Sequence, residues 1–113
     1  MRRVKLRKER ESLGEACLIT SLLGKAKGLM FTLRPKTLIF ASDREEHVPL
    51  HMWFVFYPID VLYLDKKKRI IEVKEGFLPF TVHIPEVRSW YVVELPKGSV
   101  KKHGLEVGDL MHF

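Results

Sequence analysis

The sequence predicts a small, mostly β domain, a barrel or sandwich of six to eight short strands with one or two short helices. Hydrophobic residues recur with a period near two over much of the chain, which is typical of strands. Glycine and proline separate the apolar segments at short intervals, as they do in small barrels and sandwiches. Strands do not alternate regularly with long helices, so the pattern disfavours a doubly wound parallel sheet.

The length and composition indicate one ordered domain. The 113 residues correspond to a single domain over 1–113, and 46% of them are hydrophobic, enough to build a core. The single cysteine, Cys17, allows no internal disulfide, and no apolar run reaches the ~18 residues that cross a bilayer. We therefore expect a cytoplasmic protein without membrane contacts, a monomer or a small homo-oligomer. The chain contains neither Asn nor Gln, which indicates a thermophilic source.

The first half of the chain is predicted to hold three strands, over residues 1–10, 16–19 and 52–57, and a short apolar segment over 37–40. The basic segment 1–10 can form an edge strand, because Val4 and Leu6 alternate with charged residues. A short helix or turn is predicted over 21–27, and the polar stretch 41–48 predicts a surface loop. The run 52–57 is apolar on both alternating faces, so its aromatic residues are expected to fill the interior; they include Trp53, Phe54 and Phe56.

The second half is predicted to hold further short strands. They cover residues 61–64, 70–74, 81–84, 89–95 and 110–113. A hairpin loop over 65–69 joins the first two, and Ile71 and Val73 are expected to point inward together. Ser99 is a good N-cap for one helical turn, and Gly104 is a good residue to end it.

Three segments follow one another in the order and spacing of a known family. They are Gly28-Leu29-Met30-Phe31; Pro58-Ile59-Asp60-Val61-Leu62-Tyr63-Leu64-Asp65 with Ile70-Ile71; and Val93-Glu94-Leu95 through Gly98 and Gly104 to Val107-Gly108-Asp109. Together they resemble the Gly-Leu-Met turn, the Pro-Leu-Asp hairpin and the closing segment of the DUF192 family, also called UPF0127. The resemblance covers about residues 15–113 and implies a compact, mainly β domain of unknown function.

The sequence departs from that family's pattern in two places. His51-Met52-Trp53-Phe54-Val55 stands where the family commonly has Trp-Met-Lys-Asn-Thr, so a polar site built from that Lys, Asn or Thr is not expected here. The run Lys66–Arg69 replaces the usual glycine of the hairpin. Because the family has no established activity, the resemblance implies no catalytic role for any residue.

Four residues are candidates for a ligand-binding pocket, namely Asp60, Glu94, Trp90 and His51. Asp60 opens an apolar strand, where a buried carboxylate can anchor a ligand or exchange a proton. The alternative, which we favour, is that Asp60 caps the Pro58 bend by accepting backbone hydrogen bonds. Glu94 shares a strand face with Trp90, and we favour a surface position for it because glutamate is rarely buried unpaired. The spacing of His51 and the other histidines makes no metal site, so neither a metal nor another cofactor is predicted.

The net charge of +6 points to anionic partners. The candidate contacts for an anion or a nucleic acid are Arg2, Arg3, Lys5, Lys66, Lys67, Lys68 and Arg69. Nucleic-acid binding requires that the N-terminal segment and the Lys66–Arg69 loop converge on one face. A thermophilic composition offers a second reason for so many lysines and arginines.

Three functions stay open at this point. A non-catalytic domain that binds a small molecule or a protein is favoured, because the sequence contains no nucleophile elbow and no nucleotide-binding fingerprint. A nucleic-acid-binding protein that uses the two basic segments is the first alternative. An enzyme that uses Asp60 or Glu94 as an acid or base is the second alternative.

Overall fold

The structure, a computed structural model, describes residues 2–20, 37–46, 50–51, 57–78 and 81–113, with the backbone alone at 43–46, 50–51 and 82. Within these ranges it contains nine strands and one four-residue helix, α1 (Ser99–Lys102). The strands are β1 (Arg2–Lys8), β2 (Glu11–Ile19), β3 (Leu38–Glu46), β4 (Leu50–His51), β5 (Ile59–Leu64), β6 (Ile70–Phe77), β7 (Val82–His83), β8 (Ser89–Pro96) and β9 (Met111–His112).

Seven of the described strands form one sheet in the order β6-β5-β8-β3-β2-β1-β9, while β4 pairs with β7. The neighbours are antiparallel except for β2 and β3, which are parallel. The two edges of the sheet meet where Arg69 bridges Leu110. There the N–H of Ile70 donates to the carbonyl of Asp109 at 2.8 Å, and the N–H of Met111 donates to that of Lys68 at 2.9 Å. The sheet is therefore curled into a half-barrel, and the predicted mostly β fold is confirmed.

Apolar side chains are buried on both faces of this sheet. The first cluster includes Ile70 at one edge and Met111 at the other, so it fills the inside of the curl. Its buried members are Leu6, Ala16, Ile39, Leu62, Leu64, Ile70, Val93, Leu95, Val100, Leu105 and Met111. The second cluster lies on the opposite face and consists of Ile19, Leu38, Phe40, Ile59, Val61, Tyr63, Phe77 and Val92. Strand β5 contributes to both clusters, which explains why all six of its residues are buried.

The β5–β6 hairpin is held by Asp65. Its Oδ1 accepts hydrogen bonds from the backbone N–H groups of Lys67 at 2.9 Å and Arg69 at 3.0 Å. The intervening Lys68 has φ 70°, a left-handed conformation that glycine adopts far more readily. Lys68 thus occupies a position to which glycine is better suited, at a cost in backbone strain.

Two expectations about the strands are wrong. Residues 41–46 continue β3 instead of forming a loop, since the ladder to β8 extends to the pair Glu46–Ser89. Ile71 and Val73 do not point inward together, because Leu64 pairs with Ile70 and Tyr63 with Glu72, which leaves Ile71 as an extra residue. This bulge sends Val73 to the first cluster and Ile71 to the second.

The start of α1 also differs from the expectation. The N-cap is Gly98, with φ 90° and no side-chain capping bond, while Ser99 is the first helical residue and its hydroxyl donates to the carbonyl of Pro96 at 2.6 Å. Gly104 has φ 58° directly after the C-cap, in the position predicted for it. The helix or turn predicted over 21–27, the family-like segment 28–31 and the aromatic residues Trp53, Phe54 and Phe56 lie outside the described residues.

Candidate functional site

A cleft of about 400 Å³ lies between β1, β9 and the β5–β6 hairpin. We call it the basic cleft; its lining residues are Lys5, Arg7, Lys67, Lys68, Leu110, Met111, His112 and Phe113. Lys5 and Arg7 flank the buried Leu6 along β1 and therefore project from the outer face of that strand. Arg7 is paired with His112 of β9, so the imidazole lies on the same face as the guanidinium.

The basic cleft brings several basic side chains together. None of its eight lining residues is acidic. Among the described contacts, the side-chain ammonium groups of Lys5 and Lys67 have neither a hydrogen bond nor an ion pair, and both residues are exposed. The guanidinium of Arg7 makes one long hydrogen bond, 3.4 Å, to the carbonyl of Glu9. Three cationic groups are thus free to contact an anion, and the imidazole of His112 adds a further hydrogen-bonding group.

Lys68 has a different role from the other cations of the cleft. Its Nζ donates a hydrogen bond of 2.7 Å to the main-chain oxygen of Phe113. The same ammonium lies 4.0 Å from the ring centroid of Phe113 and 5.9 Å from that of Tyr91. These contacts fix Lys68 in place and hold the Phe113 ring against the end of the first cluster.

Four of the seven predicted anion contacts do not line the cleft. Arg3 forms an exposed ion pair with Glu15 at 4.0 Å, and Arg2 is exposed at the start of β1. Lys66 places its Nζ 5.3 Å above the ring of Trp90, while Arg69 donates to the carbonyl of Gly108 at 2.8 Å. The structure thus brings together Lys5, Lys67 and Lys68 and separates the rest.

Sequence reasoning missed two of the polar lining residues, Arg7 and His112, besides the three apolar ones. Arg7 could have been predicted from the sequence, because a residue two positions after Lys5 on a strand lies on the same face as Lys5. His112 was not, because its place beside Arg7 depends on the pairing of the last strand with the first.

Asp60 is almost completely buried, with 1% of its surface exposed. Its Oδ1 accepts a hydrogen bond from the N–H of Gly76, and its Oδ2 accepts from those of Gly98 and Val100, each at 3.0 Å. The carboxylate therefore ties β5 to β6 and supplies the cap that α1 lacks. Asp60 accepts backbone hydrogen bonds as we favoured, but the donors do not belong to the Pro58 bend.

Glu94 is 6% exposed, so the surface position favoured for it is wrong. It shares the second-cluster face with Val92, and its Oε2 is buried without a hydrogen-bond partner among the described residues. Burial raises the pKa of this carboxyl to about 8, so it is largely protonated at neutral pH. Burial, followed by the charge of nearby Glu94, raises the pKa of Tyr57.

A second polar cluster lies on the same face. The Oε2 of Glu72 is 3.2 Å from Nε2 of His83, and its Oε1 accepts from the backbone N–H groups of Glu86 at 2.9 Å and Val87 at 3.3 Å. The ring centroid of His83 lies 5.8 Å from that of Tyr63. Burial raises the pKa of the Tyr63 hydroxyl, with smaller effects from the charges of Glu72 and Glu94.

The remaining pocket candidates are placed apart from the basic cleft. Trp90 is half-buried beneath Lys66, and its alternation with Glu94 along β8 puts both on the second-cluster face. The backbone of His51 pairs with Val82, while its side chain lies outside what the structure describes. Within the described ranges, no group of three or more His, Cys, Asp or Glu side chains is arranged to hold a metal ion.

The fold and the site define a small, mainly β domain whose curled seven-stranded sheet carries a basic cleft where its edges meet. The chain belongs to the DUF192 family, described as "Uncharacterized ACR, COG1430", whose model matches residues 7–113. The resemblance seen in the sequence is thereby confirmed. This family has no established function, and the unknown function stated for this chain agrees with it.

Relatives and solved structures support this assignment. The chain is 32% identical to a UPF0127 protein of Pyrococcus horikoshii over 85% of this chain and 84% of the relative, and 30% identical to one of Pyrococcus abyssi over 88% and 86%. A Sinorhizobium meliloti structure named a "putative transcription regulator" matches with a TM-score of 0.85 at 24% identity, over 97% of this chain and 91% of that one. A Novosphingobium aromaticivorans protein of unknown function matches with a TM-score of 0.85 at 19% identity, over 98% and 85%.

The relatives are proteins of thermophilic archaea, in agreement with the composition of the chain. In the part of the chain that the structure describes, no helix has the length and apolarity needed to cross a membrane.

Proposed function

We propose that this domain binds a small anionic ligand in the basic cleft. The observation that carries the proposal is the convergence of Lys5, Arg7 and Lys67 around a cleft whose lining contains no acidic residue. Like charges held close together repel one another, and an anion placed between them removes this repulsion while forming charge-assisted hydrogen bonds. The proposal joins the favoured small-ligand function to the predicted anion contacts.

A compact anion fits this arrangement better than a nucleic acid. A nucleic-acid site is expected to offer an extended basic track along the phosphate backbone. Of the seven predicted anion contacts, Lys5, Lys67 and Lys68 line the cleft, whereas Arg69 donates to the carbonyl of Gly108 and Lys66 lies over Trp90. A volume of about 400 Å³ also lies in the range of ~300–1,000 Å³ that is usual for small-molecule sites.

Binding is also better supported than catalysis. The three backbone hydrogen bonds that Asp60 accepts join elements of the fold, and neither Asp60 nor Glu94 lines the basic cleft. The name of the Sinorhizobium meliloti protein makes nucleic-acid binding the alternative that an experiment must distinguish from binding of a small anion.

We also propose a cytoplasmic location, because a chain with one cysteine needs no oxidising compartment for its folding.

The test is an NMR titration of the full ¹⁵N-labelled chain with inorganic phosphate at low salt. Shifts are expected for the backbone amides of Lys5, Arg7, Lys67 and His112. The double variant Lys5→Ala/Lys67→Ala should lose about tenfold in affinity, roughly 1.4 kcal/mol. The matched control Lys101→Ala/Lys102→Ala removes the same charge from exposed positions of α1 and should lose less than about twofold, as expected for charges remote from the site.

Nucleic acid enters the test as a separate arm. Short DNA and RNA oligonucleotides are titrated at about 50 mM and about 200 mM salt, because phosphate-backbone contacts give a steep loss of affinity with salt. A diffuse surface for polyanions, in place of the cleft, would give a different result. Oligonucleotides would then bind much more tightly than phosphate, and the cleft and control double variants would weaken that binding equally. Absence of any shift at Lys5, Arg7 or Lys67 with phosphate would rule out the proposed site.

A further inference from the structure

We infer that the ligand of the basic cleft is amphiphilic, a phosphate-class anionic head group attached to a short hydrocarbon chain. This inference rests on the proposed function and specifies the class of ligand for the same cleft. It is carried by the accessible apolar residues that line the cleft beside its free cations, which are Leu110 and Phe113.

Leu110 provides the exposed apolar contact. It is 38% exposed, one of four large hydrophobic residues that are exposed in the described part of the chain, and the one of them that lines the cleft. Single exposed apolar residues need no explanation by themselves. Leu110, however, is held by the bridge to Arg69 that closes the sheet, so the fold keeps its side chain beside the lysines. A purely ionic ligand would leave this apolar surface in water.

Phe113 and Lys68 form the wall next to Leu110. The ring of Phe113 packs edge-on against Tyr91, with centroids 5.2 Å apart and planes at 82°. Lys68 covers the Phe113 ring and donates to its main-chain oxygen, so this ammonium is already occupied. The cleft therefore combines free cations, those of Lys5, Arg7 and Lys67, with apolar and aromatic surface from Leu110 and Phe113.

This combination of charge and apolar surface predicts how the affinity depends on the ligand. The head group replaces solvent around the free cations, while the chain lies on Leu110 and the edge of Phe113. Complete burial of a methylene group strengthens binding by about fourfold, and an open cleft buries about half of its surface. We therefore expect affinity to rise roughly twofold for each methylene from methyl phosphate to hexyl phosphate.

The experiment titrates the full chain with inorganic phosphate and with methyl, butyl and hexyl phosphate, each below the concentration at which it aggregates. In Leu110→Ser the affinity for hexyl phosphate should fall about fivefold, while the affinity for inorganic phosphate stays unchanged. Val107→Ser is the matched control, because Val107 is 61% exposed and does not line the cleft. Thermal unfolding of both variants checks that they keep the fold.

The outcomes distinguish failure of the amphiphilic ligand from failure of the proposed anion binding. If phosphate binds in the cleft but all three alkyl phosphates bind equally well, the amphiphilic ligand is wrong and the anion site stands. If neither phosphate nor any alkyl phosphate shifts the cleft residues, both fail. If vesicles of phosphatidylglycerol bind while monomeric hexyl phosphate does not, the cleft recognises a lipid surface and the soluble ligand is overturned.

Discussion

Neutralising the buried Glu94 should remove a large pH dependence of the domain's stability. Burial raises the pKa of this carboxyl from 4.5 to about 8. Between these two values the unfolded chain has an ionised Glu94, whereas the folded domain keeps it protonated. The folded state binds more protons in that window, so the free energy of unfolding falls as the pH rises.

The magnitude follows from the size of the shift. Each pKa unit corresponds to about 1.4 kcal/mol, so the fall between pH 4.5 and pH 8 approaches about 5 kcal/mol. Above pH 8 the folded carboxyl ionises as well, and the contribution becomes constant. The side chain is 6% exposed, so solvent screens little of this effect. Glu94→Gln has nearly the same shape without the titration and should be the more stable protein at pH 8.

Urea unfolding of wild type and Glu94→Gln at pH 5, 6, 7 and 8 measures the effect. The stability difference between the two should grow by several kcal/mol over this range in favour of the variant. Glu75→Gln is the control, because Glu75 is an exposed glutamate of β6 and its replacement makes the same change in charge. The two variants are compared by their free energies of unfolding. If the difference between Glu94→Gln and Glu75→Gln stays constant from pH 5 to pH 8, burial does not hold Glu94 neutral.

Two further substitutions test how single side chains hold the fold. Asp60→Asn puts an amide group in place of a charged acceptor of three backbone N–H bonds, so it should lower the free energy of unfolding by about 2–4 kcal/mol in urea titrations. A loss below about 1 kcal/mol would contradict the anchoring role of this carboxylate. Lys68→Gly should be about 1 kcal/mol more stable than Lys68→Ala, because both lose the lysine contacts but only glycine adopts φ 70° without strain. Equal urea midpoints for these two variants would count against the left-handed hairpin position.

Local patterns predicted the individual strands well. The alternation along β8 separated Tyr91, Val93 and Leu95 from Val92 correctly, because a regular strand sends successive side chains to opposite faces. The same rule failed for Ile71, since the bulge opposite Tyr63 and Leu64 adds a residue that no local pattern reveals. The polar end of β3 was assigned to a loop because its pairing with β8 lies far away in the sequence.

The polar side chains were harder to predict, because their partners are set by topology. The donors to Asp60 are 16, 38 and 40 residues away along the chain. The sequence around the Pro58 bend therefore could suggest a capping carboxylate but not what it caps. Glu94 was expected at the surface for the same reason, since its burial depends on β3 and β5 lying on either side of β8.

The basic cleft is a consequence of how the sheet closes. The bridge between Arg69 and Leu110 brings the hairpin lysines to β9, and the pairing of β1 with β9 brings Lys5 and Arg7 to the same place. Each basic segment alone is an ordinary solvated strand or turn, and their repulsion arises only in the closed sheet. The closure also holds Leu110 and Phe113 beside these cations. The strand pairing that completes the half-barrel is therefore also what creates the site, so a ligand bound there would stabilise the contact between the two edges of the sheet.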